Sequence, residues 1–227
     1  MPTEQGWEVV ERHGTAGELH QRPFPSPARR QIDICHLAGP ALVLGSTQTP
    51  ALVATEAAAA AGVEVVRRRS GGGAVLLDPQ GSVWIDVTIP RGDDRWDHDV
   101  NRSFGWLGAR WAAALATFGL AGSVHDGPLV RTPASALVCF AGLGPGEVSV
   151  DGRKAVGLSQ RRTREGARFQ AVVYVRAMPP AGDIVDLLVE PVGAAARAAL
   201  RAQLDTSVAR LDTTPAAIVA ALLSTFG

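Results

Sequence analysis

The organising feature of the chain is residues 67–75, whose sequence is RRRSGGGAV. Three guanidinium groups lead directly into a turn that has almost no side chains. Arginine offers a planar, permanently charged fork for carboxylate and phosphate, and glycine lets a ligand lie against bare backbone N–H groups. The stretch therefore predicts a binding site for an anion.

The elements on either side of this stretch restrict the kind of anion site it can form. Residues 63–66 and 74–77 are short apolar runs that predict strands, so the glycines lie between two strands. A Walker phosphate loop needs the frame GxxxxGK[ST] at the start of a helix, and the dinucleotide fingerprint also opens a helix. Neither frame is present, which excludes both of those nucleotide-binding motifs.

The rest of the chain predicts a mixture of strands and helices without repeats or a clear domain break. Residues 1–30 mix several charges with a proline-rich piece at 22–27, which is expected to be extended rather than helical. Asp151-Gly152 matches a two-residue type I′ hairpin turn, and Thr49-Pro50 matches a helix start. Strands are further predicted at 41–44, 82–89, 147–150, 153–162 and 168–175, and helices at 51–61, 104–118, 184–188, 193–204 and 215–226.

Composition excludes several classes of protein. With 22 basic and 22 acidic residues there is no global field to attract nucleic acid or a membrane surface. Cys35 and Cys139 are too few for a disulfide framework and have no metal-ligand spacing, and Cys35 is interpreted as a packing residue. No apolar run is long enough to span a bilayer, so a soluble cytoplasmic protein is expected, with residues 1–227 as one domain.

Lys154 is the only lysine among the 22 basic residues. The chain otherwise uses arginine wherever it needs a positive charge. A biased genome that left one lysine by chance is one explanation. The other is that position 154 requires a compact ammonium group on a flexible stem, which a guanidinium group cannot replace.

Three motifs in order resemble the lipoate-protein ligase A family, which belongs to the wider biotinyl/lipoyl ligase and acyltransferase group. They are VLGSTQ at 43–48, RRRSGGGAV at 67–75 and DGRKAVGLSQRR at 151–162. The resemblance spans residues 40–175. It implies an α+β fold in which a mixed, mainly antiparallel sheet is flanked by helices, with no separate C-terminal accessory domain in this chain.

The same resemblance implies a reaction in two steps. Lipoate and ATP, with magnesium, give lipoyl-adenylate, and the acyl group then passes to a lysine of a carrier domain such as a 2-oxoacid dehydrogenase E2 or glycine cleavage H-like domain. Lys154 would be the catalytic lysine, with Gly157 beside the acyl chain. The acyl-adenylate would be cradled by Arg68, Ser70, Gly71, Gly72 and Gly73. No protein ligands for the metal are expected, because nucleotide oxygens and water bind it.

Departures from the family pattern leave two alternatives open. Leu77 and the segment Phe169-Gln170-Ala171 stand where family members usually have histidines. Some relatives are octanoyltransferases that use no ATP and take the acyl group from acyl carrier protein through a cysteine thioester. Cys139, upstream of Lys154, resembles their cysteine. A non-catalytic binder of lipoyl or biotinyl groups is the third interpretation.

Overall fold

The structure is a computed structural model that describes residues 6–176, 178 and 181–227. Its α-helices are α1 Ala16–Gln21, α2 Thr55–Ala60, α3 Gly105–Ala116, α4 Ala194–Ser207 and α5 Pro215–Ser224. Its strands are β1 Glu8–Gly14, β2 Gln31–Leu37, β3 Ala41–Leu44, β4 Glu64–Arg67, β5 Val75–Leu77, β6 Ser82–Pro90, β7 Ser123–Val124, β8 Val148–Val150, β9 Arg153–Arg162 and β10 Gly166–Tyr174. Short 3₁₀ turns lie at Pro50–Leu52, Arg102–Phe104, Cys139–Ala141 and Ala181–Leu187.

The strands form two sheets. The large sheet has the order β1-β2-β6-β10-β9-β8-β7, and only its β1–β2 pair is parallel. The small sheet has the order β4-β3-β5, with β3 and β4 parallel. The predicted α+β fold with a mixed, mainly antiparallel sheet and flanking helices is therefore confirmed.

Strand β6 runs through the middle of the core, and both of its faces are buried. Ile85, Val87 and Ile89 face α3 and α5, where they pack in one apolar cluster with Trp111 and Leu222. The next residue toward the amino end, Trp84, belongs to a second cluster with the small sheet and α4. Because side chains alternate along a strand, the large sheet separates these two cores.

Several predicted elements match the structure closely. Strand β3 has the predicted limits, and α3 lies within the helix predicted at 104–118, with Leu107, Trp111 and Leu115 buried. Asp151 and Gly152 have φ values of 50° and 73°, which are the positive values that a type I′ turn requires. The hairpin predicted at Asp151-Gly152, which carries Lys154, is therefore present in the structure.

The helix predicted at 51–61 is present but shorter, because it is interrupted near its start. A 3₁₀ turn ends at Leu52, and α2 begins only at Thr55. Between them the backbone leaves the helical path, because Val53 forms an isolated β-bridge with Leu188 and the Ala54 N–H donates to the carbonyl of Leu187 at 2.9 Å. These partners are more than 130 residues away along the chain, so local propensity could not reveal them.

The proline-rich piece at 22–27 is not helical, as predicted, but a strand and a short helix precede it. Residues 1–5 lie outside the described part of the chain, but β1 and the six-residue helix α1 follow them. Thr15 and Glu18 form a reciprocal capping box at the start of α1. Among the described residues, no helix is both long enough and apolar enough to cross a membrane.

The glycine loop, residues 68–74, connects β4 to β5 and passes directly over the end of β3. The Ser46 N–H donates to the carbonyl of Ser70 at 3.0 Å. Gly72 has a φ of 99°, and a Cβ placed on Gly45 would lie only 1.8 Å from the Gly72 carbonyl oxygen. The two backbone segments can approach this closely only because position 45 has no side chain.

We expect Gly45→Ala to destabilise the protein by about 2 kcal/mol, because the new methyl group must displace backbone atoms of the glycine loop. Gly71→Ala is the matched control, since a Cβ at Gly71 meets nothing within 4 Å. Thermal and urea unfolding of both variants measure the difference. Equal stabilities of the two variants would show that the glycine loop shifts to accommodate the new methyl group without a loss of folding free energy.

Candidate functional site

The face of the large sheet toward the small sheet carries three rows of side chains, each crossing β2, β6, β10 and β9. The register of these strands defines the rows. The apolar row is Cys35, Trp84, Val172 and Gly157; the polar row is Asp33, Asp86, Gln170 and Ser159; the arginine row is Gln31, Thr88, Arg168 and Arg161. On β10 and β9 the side chains therefore change from apolar to polar to cationic from the first row to the third.

A cleft lies between the apolar row and the small sheet. Most of its wall is apolar, and the remainder consists of four polar side chains and Cys139. The apolar lining is Val43, Val75, Leu77, Trp84, Phe140, Gly157, Leu158 and Val172, and the polar lining is His20, Arg68, Ser159 and Gln170. Such a cavity suits an apolar ligand with a polar end.

Lys154 is buried, and its ammonium group has three oxygen partners. The Nζ atom lies 2.6 Å from a carboxylate oxygen of Glu147 and donates to the carbonyls of Cys139 at 3.0 Å and Gly142 at 3.1 Å. Burial by itself would lower the pKa of Lys154. Its interactions with Cys139 and with the Glu147 carboxylate outweigh that effect, so the pKa of Lys154 is raised and the group stays cationic.

Cys139 lies beside this ammonium group. Its Sγ atom is 3.8 Å from Lys154 Nζ, and the residue is half-buried and lines the cleft. Its N–H donates to the carbonyl of Ala74 at 2.9 Å, so it is attached to the end of the glycine loop. The structure thus brings Cys139, Lys154 and the glycine loop together. In the sequence, Lys154 follows Arg68, the first residue of that loop, by 86 positions.

Arg68 is buried among backbone carbonyls. Its guanidinium group donates to the carbonyls of Val43 at 3.1 Å, Gly71 at 2.7 Å and Gly73 at 2.9 Å. Burial lowers the pKa of Arg68. Of the three consecutive arginines, Arg68 holds the glycine loop against β3, while Arg67 and Arg69 are exposed.

Ser70 connects the glycine loop to the polar row. Its hydroxyl group lies 3.0 Å from the Ser159 hydroxyl and donates to the Gln170 side-chain carbonyl at 3.1 Å. Gly73 packs against the 138–139 backbone, where a Cβ would come within 2.7 Å of it. A Cβ on Gly157 would lie 3.1 Å from the Phe140 ring, so Gly157 both lines the cleft and makes room for Phe140.

The arginine row adds positive charge next to the polar row. Arg161 and Arg168 lie over the ring of Phe24, at 5.4 and 4.9 Å from its centroid. Burial lowers the pKa of Arg161, and so do the neighbouring charges of Arg69 and Arg168. Repulsion among these guanidinium groups favours binding of an anion.

The sequence interpretation missed two residues of the site. Glu147 lies between two glycine-rich turns and has no motif of its own. His20 lies at the end of α1, and the available signal was the capping box of Thr15 and Glu18, which predicts a helix start. Burial, together with the charges of Arg68, Arg22 and Arg168, lowers the pKa of His20 to about 3, so its ring is neutral.

No group of three or more histidine, cysteine, aspartate or glutamate side chains within the described ranges could hold a metal ion. A magnesium ion at this site would have to be bound mainly by oxygens of a substrate and by water.

Comparison with known proteins identifies the family. The model of the lipoyl protein ligase A/B catalytic domain matches residues 28–213. The chain belongs to this family. No curated protein sequence matches the chain at a significant level.

Solved structures of lipoate-protein ligases share the fold. One from Thermoplasma acidophilum, described as part of a bipartite ligase studied with its E2 lipoyl domain, has a TM-score of 0.74 at 16% identity and covers 96% of this chain and 82% of that chain. A putative ligase from the same organism with bound lipoic acid has a TM-score of 0.70 at 17% identity, with coverages of 96% and 84%. A lipoate-protein ligase A bound with ATP has a TM-score of 0.69 at 17% identity, with coverages of 100% and 84%.

We expect Arg68→Leu to lower the free energy of unfolding by about 3 kcal/mol, because three buried carbonyls lose a charged donor. Arg69→Leu, which removes the same charge from the exposed neighbour, should change stability by no more than about 0.5 kcal/mol. Urea unfolding of both variants measures the contrast. A similar small effect for both would contradict the role of Arg68 in holding the loop.

The buried ion pair with Glu147 gives Lys154 a part in the stability of the fold. Alanine at 154 leaves the buried Glu147 carboxylate without its counter-charge, which should cost about 3 kcal/mol of stability. Arg153→Ala, at the exposed preceding position, is the control and should cost at most about 0.5 kcal/mol. Chemical unfolding at neutral pH measures the stabilities of both variants. Equal stabilities would show that groups other than Lys154 stabilise the buried Glu147 carboxylate.

Proposed function

We propose that this protein transfers a lipoyl-type acyl group to the ε-amino group of a lysine on a lipoyl-carrier domain. The observation that carries the proposal is the apolar cleft bordered by the Lys154 and Cys139 pair. From Trp84 to Gly157 the apolar row crosses two strand spacings of about 4.8 Å each, which approximates the length of an extended eight-carbon chain. The reacting carbonyl would lie at the Gly157 end, because Lys154 Cε is 3.4 Å from a Cβ placed there.

Lys154 is suited to stabilise negative charge on the reacting group. Its ammonium group is buried, and in such a water-poor site a fixed charge acts more strongly on a developing oxyanion than it would in water. Glu147, Cys139 and Gly142 engage the ammonium group in the structure. A substrate oxygen therefore binds Lys154 by replacing one of these acceptors, and the two backbone carbonyls are less costly to replace than the carboxylate.

The leading route is that of a ligase. Lipoate would react with ATP to give lipoyl-adenylate and pyrophosphate, and the carrier lysine would then displace AMP. Activation brings a carboxylate and a triphosphate together, and Arg69, Arg161 and Arg168 supply positive charge near that meeting point. Similar structures carry lipoic acid or ATP, which supports both as substrates here. The magnesium ion would accompany the nucleotide.

The proposed partner is a lipoyl domain of an E2 component or a glycine cleavage H-like protein. An E2 lipoyl domain accompanies the archaeal ligase of similar fold. We place the reaction in the cytoplasm and assign it to the catalytic domain that residues 28–213 match. The equal numbers of acidic and basic residues make nucleic acid an improbable partner.

A second route is favoured by the position of Cys139. Its Sγ atom lies 3.8 Å from the Lys154 ammonium group and lines the cleft, and cysteine thiolates form covalent acyl intermediates in catalysis. The Cys139 thiolate would attack the thioester of an acylated acyl carrier protein and release that carrier's thiol. The carrier-domain lysine would then attack the Cys139 thioester, giving the amide and returning the free thiol. This route needs no ATP.

One experiment separates the two routes. Apo lipoyl domain is incubated with the protein and either lipoate, ATP and magnesium, or octanoyl-acyl carrier protein without ATP, and its mass is measured. The ligase route predicts modification in the first mixture and retention of that activity in Cys139→Ser. Lys154→Ala should lose at least about 100-fold in rate, because the lysine acts on the charge formed in the transition state.

Modification only in the second mixture, together with its loss in Cys139→Ser, would assign the thioester route instead. If neither mixture modifies the lipoyl domain while lipoate still binds, the protein is a non-catalytic lipoyl binder and the proposal fails. Circular dichroism of each variant verifies that lost activity is not lost folding.

A further inference from the structure

His20 has an unusual environment inside the cleft. Its ring packs on Trp84 with centroids 4.3 Å apart and an interplanar angle of 31°. Its Nδ1 atom lies 3.2 Å from the side-chain nitrogen of Gln170. The ring lines the cleft where the apolar row meets the polar row. His20 is therefore placed to contact a ligand that fills the cleft.

The neighbours of Gln170 determine which ring nitrogen of His20 carries the proton. The carbonyl oxygen of Gln170 accepts from Ser70, and its amide nitrogen lies 3.4 Å from a carboxylate oxygen of Asp86. The amide nitrogen therefore donates to His20 Nδ1, which must be unprotonated. A neutral ring then carries its hydrogen on Nε2.

This Nε2–H group has no partner. The atom is inaccessible to solvent and makes no hydrogen bond within the described part of the chain. A buried donor without an acceptor is costly, and such groups in native proteins usually have a functional explanation. An acceptor supplied by the substrate would satisfy this donor.

The position of His20 indicates which part of the substrate would supply that acceptor. The ring packs on Trp84, whereas Lys154 and Cys139 lie at the Gly157 end of the apolar row. Trp84 and Gly157 are separated by two strand spacings, about 10 Å. With the reacting carbonyl near Lys154, the far end of an eight-carbon chain reaches His20.

We propose that His20 determines specificity by donating a hydrogen bond from Nε2 to a dithiolane sulfur at the far end of the acyl chain. The cleft would thus prefer a lipoyl group to a plain octanoyl group, whose terminal methyl leaves the donor unsatisfied. Sulfur is a weak acceptor, so the preference is modest. This inference rests on the proposed function and narrows its substrate.

The test is isothermal titration calorimetry of the full chain with lipoate and with octanoate. The compared quantity is the ratio of the two dissociation constants, in wild type, His20→Phe and His20→Gln. Phenylalanine keeps the packing on Trp84 but has no donor, and glutamine can present an N–H near the Nε2 position. We expect His20→Phe to reduce the preference for lipoate by roughly three- to tenfold, the contribution of one hydrogen bond, and His20→Gln to restore most of it.

An unchanged ratio in His20→Phe, with a melting temperature like that of wild type, overturns the inference and leaves the proposed function standing. Equal losses for lipoate and octanoate also overturn it, because they indicate a general packing role. Failure of wild type to bind either acid overturns it as well. The proposed function is judged separately, by acyl transfer to the lipoyl domain.

Discussion

The site depends on one buried guanidinium group. Arg68 donates to the carbonyls of Val43, Gly71 and Gly73 and so fastens the glycine loop to strand β3. The end of that loop forms an isolated parallel bridge, Ala74 with Val138, and accepts the Cys139 N–H. The Cys139 carbonyl in turn accepts from Lys154. A continuous series of backbone contacts therefore connects Arg68 to Lys154. The guanidinium group of Arg68 is occupied by carbonyls of β3 and of the glycine loop.

A second buried charge is the ammonium group of Lys154, which lies beside the cleft. Lys154 remains cationic in an apolar environment because Glu147 lies 2.6 Å away, and Glu147 also accepts backbone N–H groups from Gly144 and Leu158. The positions of both charges are therefore determined before any substrate arrives. A preorganised charge of this kind needs little rearrangement when negative charge develops on a substrate. The same burial makes the pair a structural element, so stability and activity are coupled at this position.

The rows on the large sheet connect fold to specificity. Two-residue steps change the side chains from apolar to polar to cationic on β10, from Val172 through Gln170 to Arg168, and on β9, from Gly157 through Ser159 to Arg161. His20 lies outside these rows on α1, yet it packs on Trp84 and bonds Gln170. A short helix far from every motif thus completes the wall of the cleft.

Local patterns in the sequence were sufficient to identify the hairpin at Asp151-Gly152, the helix around Trp111, the glycine loop between two strands and the solitary lysine, because each depends on neighbouring residues or on composition. They did not indicate the break at Val53, the helix that carries His20, the ion partner of Lys154 or which arginine is buried. Each of these depends on a contact with a distant segment: Leu188 for Val53, Gln170 for His20, and the carbonyl of Val43 for Arg68. Only the tertiary structure determines such pairings, since burial and hydrogen-bond satisfaction arise when separate strands meet.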